Sequence, residues 1–312
     1  MDFKSEILKL KKEKDVLILA HNYQLPDVQD VADYVGDSLG LSRQAATTDY
    51  KTILFCGVHF MAETAAITCP EKKVLIPDLA AGCSLADTIN ADELRKWKSE
   101  HPEAITVGYV NTSAEVKAEL DYCCTSSNAV NVVKSIPEDK EVLFLPDMFL
   151  GSYVAKMTNR NNMFIWAGEC HVHAGIRSQD VQEKLREFAN AEFMVHPECG
   201  CTSSILYDVA SGDYGSRQVQ VLSTEGMMNH AKNSPSKQFV VATETGILYK
   251  MRKQNPDKQF YPMSENAVCK YMKMITPEKV LASLKEEKYH VKVPKHIADK
   301  AHLAIERMLA IN

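Results

Sequence analysis

Short apolar runs recur along the chain, and each is closed by polar groups. Val16-Leu-Ile-Leu-Ala leads into His21-Asn22-Tyr23, Ile105-Thr-Val-Gly into Tyr109-Val110-Asn111, and Phe193-Met-Val into His196-Pro197-Glu198. Such runs predict buried strands, and because side chains on a strand alternate faces, groups at i and i+2 just past its end project to one side. A second set, Thr52-Ile-Leu-Phe, Val142-Leu-Phe-Leu and Phe239-Val-Val-Ala, leads into His59, Asp147 and Glu244. Helical segments lie between them. Thr112-Ser-Ala-Glu115 has capping-box spacing, and Thr276 precedes Pro277 as a capping residue precedes proline at the first helical position. Strand and helix alternate throughout, which predicts an α/β fold.

Comparing the chain with itself turns this alternation into a threefold repeat. A hydroxyl follows the first run of each unit: Ser38 lies 17 residues after His21, Ser126 17 after Tyr109, and Ser223 27 after His196, with Thr224 beside it as the alternative. The extra stretch of the third unit, around Ser211-Gly-Asp-Tyr-Gly, reads as a loop. Each unit then reaches a cysteine among small residues. Cys83 lies 24 residues after His59, Cys170 23 after Asp147 and Cys269 25 after Glu244. The units run over residues 1–87, 88–174 and 175–290, with residues 291–312 expected to pack on the first.

At 312 residues, 45% hydrophobic and 25% charged, the chain has the balance of a globular protein large enough for several units, with no linker-like segment between them. Nothing approaches the roughly 18 consecutive apolar residues of a membrane helix. The N-terminal residues have a charged helical pattern rather than a secretory signal, so a cytoplasmic location without membrane attachment is expected. A net charge of −5 gives no general attraction for nucleic acid. The lysine clusters at Lys9–Lys14 and Lys285–Lys300 are interleaved with acids and read as solvated faces.

Nine cysteines without an export signal argue against a disulfide framework and for reduced thiols or metal ligands. Cys56 and Cys69 read as small core residues, and the adjacent Cys123 and Cys124 as poor joint ligands. Cys199 and Cys201, flanking Gly200, are candidates for a redox or metal role. Cys83, Cys170 and Cys269 stand apart because the repeat makes them equivalent. Structural zinc takes paired ligands from short turns, which these three lack. A four-iron cluster held by three thiolates keeps one open iron, a Lewis acid suited to dehydration chemistry. An electron carrier needs a fourth ligand, and a metal-free binding protein would keep its ligand affinity without the three thiols; both remain alternatives.

Nine segments in order carry a resemblance over nearly the whole chain. They are Ala20-His-Asn-Tyr-Gln, Gly36-Asp-Ser-Leu, Gly57-Val-His-Phe-Met-Ala-Glu-Thr-Ala, Ala81-Gly-Cys-Ser-Leu-Ala-Asp, Tyr109-Val-Asn-Thr-Ser-Ala-Glu-Val-Lys-Ala, Cys124-Thr-Ser-Ser-Asn-Ala-Val, Gly168-Glu-Cys-His-Val-His-Ala-Gly, His196-Pro-Glu-Cys and Met272-Lys-Met-Ile-Thr. Together they resemble the quinolinate synthase family of NAD biosynthesis. The resemblance implies three similar α/β/α units with short parallel sheets about a pseudo-threefold axis, and a 4Fe-4S cluster where they meet. It implies condensation of iminoaspartate with dihydroxyacetone phosphate to quinolinate, with loss of phosphate and two waters. By position it makes Cys83, Cys170 and Cys269 the cluster ligands and gives Tyr23, Tyr109 and Glu198 acid–base roles. His21, Ser38, Asn111, Ser126, His196 and the Ser223/Thr224 pair would surround substrate. His171 and His173, which adjoin Cys170 in the sequence, are expected to tune the cluster through hydrogen bonds. The run Val221-Leu-Ser-Thr-Glu-Gly, and Met263 and Asn266 ahead of Cys269, depart from the pattern of some members. A functional link to an aspartate-oxidising enzyme follows, while oligomeric state, a homodimer included, is left open.

Overall fold

The computed structural model describes residues 2–202, 205 and 219–311. The loop expected around Ser211 lies outside the described residues. Among the described residues, three sheets of four strands each form the framework. The first contains β1 (Val16–His21), β2 (Tyr34–Gly36), β3 (Thr52–Cys56) and β4 (Lys73–Leu75); the second contains β5 (Ile105–Tyr109), β6 (Tyr122–Cys124), β7 (Val142–Leu145) and β8 (Met163–Ile165); the third contains β9 (Glu192–Val195), β10 (Val219–Val221), β11 (Gln238–Ala242) and β12 (Gln259–Pro262). All pairings are parallel, and the orders β2-β1-β3-β4, β6-β5-β7-β8 and β10-β9-β11-β12 repeat one topology. The expected α/β class and its short parallel sheets are therefore present, three times over.

Period-two alternation decides which way each strand faces. Leu17 and Leu19 of β1, Ile53 and Phe55 of β3, and Phe239 and Val241 of β11 join one apolar cluster that also holds Phe144 of the second sheet. Their neighbours Ile18, Leu54 and Val240 turn to the opposite faces, into two smaller clusters. Strands buried on both faces explain the continuous apolar runs in the sequence. The central cluster binds the units into one body.

The segments that follow the third sheet close this body. Helix Pro277–Glu286, begun by Thr276 accepting from the Lys279 N–H, buries Val280, Leu281 and Leu284 with Ile18 and Leu54 of the first sheet. Helix Lys295–Ala310 packs against helix His59–Thr68 of the first unit, and also against β6 and helix Ala114–Lys117 of the second. Buried Asn128 fixes its end by donating to the carbonyls of Met308 at 3.0 Å and Ile311 at 2.9 Å. Helix Ala114–Lys117 is capped by Ser113, one residue later than the spacing suggested; buried Thr112 instead donates to the Tyr109 carbonyl. No described helix is long and apolar enough to cross a membrane.

Candidate active site

In each sheet the chain leaves the first strand for one edge and returns past it to the third. The ends of β1 and β3, of β5 and β7, and of β9 and β11 are therefore switch points, where parallel sheets leave a crevice for ligands. All three crevices open into one cavity with an empty volume of about 690 Å³, part of it open solvent. His21, Tyr23, Ser38, Tyr109, Asn111, Ser126, His196, Glu198, Thr224, Cys83, Cys170 and Cys269 all line it. Ser223 does not, and neither do His59, Asp147, Cys199 and Cys201.

Strand register explains the difference between Ser223 and Thr224. His21 pairs with Gly36 and Tyr109 with Cys124, so Ser38 and Ser126 each come two residues beyond the partner. Val195 pairs with Val221, which sets His196 opposite Leu222 and makes Thr224 the equivalent hydroxyl. Ser223 is the N-cap of helix Thr224–Asn233 and accepts from the Gly226 N–H, as Asp37 caps the helix beginning at Ser38. The same logic corrects His59. Ala20 pairs with Cys56, Gly108 with Leu145 and Val195 with Ala242, so Val58, Asp147 and Glu244 are equivalent. Val58 lines the cavity; His59 turns away, 38% exposed beside Glu63.

The backbone settles the orientation of two imidazoles. His21 Nδ1 accepts from the Tyr23 N–H at 3.2 Å, and His196 Nδ1 from the Glu198 N–H at 3.4 Å. Both rings then carry their proton on Nε2 when neutral. Burial pushes each down to about 3, against the pull of Glu198, so both are neutral near pH 7. Burial raises Tyr23 and Tyr109, and the Glu198 charge raises both further, which keeps both phenols protonated. Glu198 is itself buried, yet the charges of His173 and His196 and a hydrogen bond from His173 hold it below the ordinary carboxylate range.

A relay runs behind these groups. The Tyr23 hydroxyl lies 2.6 Å from Thr243 Oγ1, which lies 2.9 Å from His173 Nε2. Across its ring, His173 Nδ1 lies 2.9 Å from Glu198 Oε2 and 3.3 Å from Cys170 Sγ. The ring stacks on His196 with centroids 4.9 Å apart. Burial opposes charge on His173, but Cys170, Tyr23 and Glu198 raise it well above the ordinary imidazole value. Among the described residues, Glu198 Oε1, Asn111 Oδ1 and Asp147 Oδ2 are buried without a hydrogen-bond partner. Buried polar atoms are normally paired, so the two orphans on the cavity wall, Glu198 Oε1 and Asn111 Oδ1, await a ligand.

The three cysteines sit on matching turns. Each carbonyl accepts from the N–H four residues on: Cys83 from Asp87, Cys170 from Ala174 and Cys269 from Lys273. Each thiol therefore opens a helical turn, and backbone N–H groups of Leu85 and Ala86 face Cys83 as those of Tyr271 and Met272 face Cys269. The turns are tied together: Ser84 Oγ lies 2.6 Å from His171 Nδ1, and His171 meets Tyr271 edge-on at 6.1 Å. Buried Glu244 anchors the third turn, accepting from the Cys269 N–H at 3.1 Å and pairing with Lys273 at 2.8 Å. The thiols are free and half-buried; burial raises Cys83 and Cys269, and a charge on Cys170 raises both further. Three thiols on one cavity wall, with a charge on Cys170 opposing ionisation of the other two, suit a bound cation. No fourth cysteine lines the cavity among the described residues.

The model of the quinolinate synthetase A protein family matches residues 5–310. The chain belongs to this family. It is 54% identical over 306 residues to the quinolinate synthase of Thermus thermophilus, covering 98% of this chain and 96% of that one. It is 53% identical over 307 residues to that of Mycobacterium tuberculosis, covering 98% and 88%. With the quinolinate synthase of Mycobacterium sp. strain KMS it shares 57% identity over 252 residues, 81% of this chain and 75% of that one.

Sequence reading of this family member missed Thr243, the hinge of the Tyr23–His173 relay. It had a faint signal, being the residue just before Glu244. Lys273 was legible only as part of Met272-Lys-Met-Ile-Thr. Cys199 and Cys201 are fully buried, their sulfurs 2.8 Å apart, outside the cavity lining.

Proposed function

We propose that the chain is a quinolinate synthase of de novo NAD biosynthesis, condensing iminoaspartate with dihydroxyacetone phosphate to quinolinate with release of one phosphate and two waters. The observation that carries this reading is the meeting of three repeat-equivalent thiols with Tyr23, Tyr109 and Glu198 in one cavity. Cys83, Cys170 and Cys269 would hold a 4Fe-4S cluster. When bound, it supplies Lewis acidity at the iron that no protein thiolate fills.

The chain's own residues do the rest. His21 and His196, neutral and donating from Nε2, bind a substrate carboxylate without carrying charge of their own. Ser38, Ser126 and Thr224 offer one hydroxyl from each unit, each beside the start of a helix, and so suit a phosphate or carboxylate. Asn111 Oδ1 accepts from the substrate nitrogen. Glu198, ionised and with one oxygen unpaired, takes a proton from carbon, and His173 beside it stabilises the resulting charge distribution. Tyr23 and Tyr109, kept protonated by burial, donate to departing oxygens; Tyr23 is resupplied through Thr243 and His173.

Anaerobic purification, iron and sulfide analysis and a quinolinate assay on one sample test this. The expected result is about four irons with quinolinate formed from the two substrates, and loss of both in Cys83→Ala, Cys170→Ala and Cys269→Ala. Iron and sulfide without product would remove the reaction and leave the cofactor.

A further inference from the structure

Cys170 belongs to a second constellation besides the set of three thiols. Its sulfur, an imidazole nitrogen of His173 and a carboxylate oxygen of Glu198 all lie within 4.8 Å of one another. Two of the three separations are 3.3 Å (Sγ to Nδ1) and 2.9 Å (Nδ1 to Oε2). Zinc bound at about 2.3 Å to sulfur and about 2.0–2.2 Å to nitrogen and oxygen sets its tetrahedral ligands about 3.3–3.6 Å apart. Small side-chain rotations therefore bring this trio to a metal. One thiolate, one imidazole and one carboxylate form a donor set that suits zinc better than calcium or magnesium.

Its surroundings are built for the same end. His173 and Glu198 are each 2% exposed. The far nitrogen of His173 meets Thr243 Oγ1 at 2.9 Å, the outer hydrogen bond that orients metal-bound histidines, and the His196 ring stacks against it. Among the described residues, Glu198 Oε1 has no hydrogen-bond partner. Three ligands with a cavity beyond them leave the fourth position open.

We infer that the cluster-free chain binds one zinc ion through Cys170, His173 and Glu198. Because Cys170 is shared, zinc excludes cluster assembly; because Glu198 is taken, the ion also blocks the proposed reaction. This regulatory consequence rests on the proposed function, while the zinc site does not.

Zinc titration of the cluster-free protein against a chromophoric chelator tests the site. One equivalent is expected to bind. Thr243→Ala weakens it by about 10–100-fold, Cys170→Ser, His173→Ala and Glu198→Ala by more, and Cys83→Ser and Cys269→Ser by less than about twofold. Cobalt(II) in the unaltered chain gives a check that needs no variant, since thiolate-to-cobalt absorption counts sulfurs: one is expected. A three-sulfur spectrum, equal weakening by Cys83→Ser and Cys170→Ser, or no binding of stoichiometric zinc would overturn the assignment. In reconstitution with iron and sulfide, zinc-loaded protein takes up iron only after chelator treatment. Zinc binding without quinolinate formation would remove the proposed function alone; the reverse would remove the zinc site alone.

Discussion

At the scale of single residues, burial assigns the protons. His21 and His196 stay neutral when folded, whereas an unfolded chain protonates both as the pH falls through the ordinary imidazole value. Between that value and about 3 the unfolded state binds more protons, so stability rises with pH and is lost on acidification. Each ring contributes up to about 1.4 kcal/mol per pH unit in that window. Urea midpoints of the cluster-free protein between pH 7 and 4 are expected to fall, and His196→Gln to lower the slope by about one proton's worth. Tyr23→Phe and Tyr109→Phe should leave the fold intact and reduce kcat by about 10²–10⁴-fold, with KM changed far less, in steady-state quinolinate assays.

At the scale of elements, strand ends and helix starts are the working parts. A strand end fixes two side chains on one side, and the following helix start presents a hydroxyl beside its free N–H groups. Ser223 and Thr224 separate these roles within one turn. Ser223→Ala removes the cap of helix Thr224–Asn233 and should lower stability by about 1 kcal/mol with KM unchanged. Thr224→Ala, at the buried position on the cavity wall, should raise KM several-fold with little change in urea midpoint. Asn128 links elements far apart in the chain. Asn128→Ala leaves the Met308 and Ile311 carbonyls without their buried donor and should destabilise by about 1–3 kcal/mol, read as a shift of the thermal midpoint.

At the scale of the whole molecule, three crevices become one site because the central apolar cluster draws residues from all three sheets. Gly168 marks a close approach inside the second unit. A Cβ there would lie 2.4 Å from both the Pro146 carbonyl and Thr88 Oγ1, so Gly168→Ala must displace the turn that carries Cys170. Iron retained after anaerobic reconstitution is expected to fall sharply in that variant while far-ultraviolet dichroism stays unchanged. Much of this plan was legible in advance. Apolar runs gave the strands, since strands buried on both faces must be apolar throughout, and recurrence gave the threefold repeat and its equivalent cysteines. Thr224 rather than Ser223, and Val58 rather than His59, were not legible, because equivalence there follows hydrogen-bonded register and not residue count. Nor was the Tyr23–Thr243–His173 relay, whose members come from three distant segments. The sequence by itself determined which residue types recur and at what intervals, because local periodicity depends only on neighbours along the chain. Convergence of three thiols, two phenols and one carboxylate was decided by the tertiary structure alone, since it depends on how separate sheets pack their apolar faces.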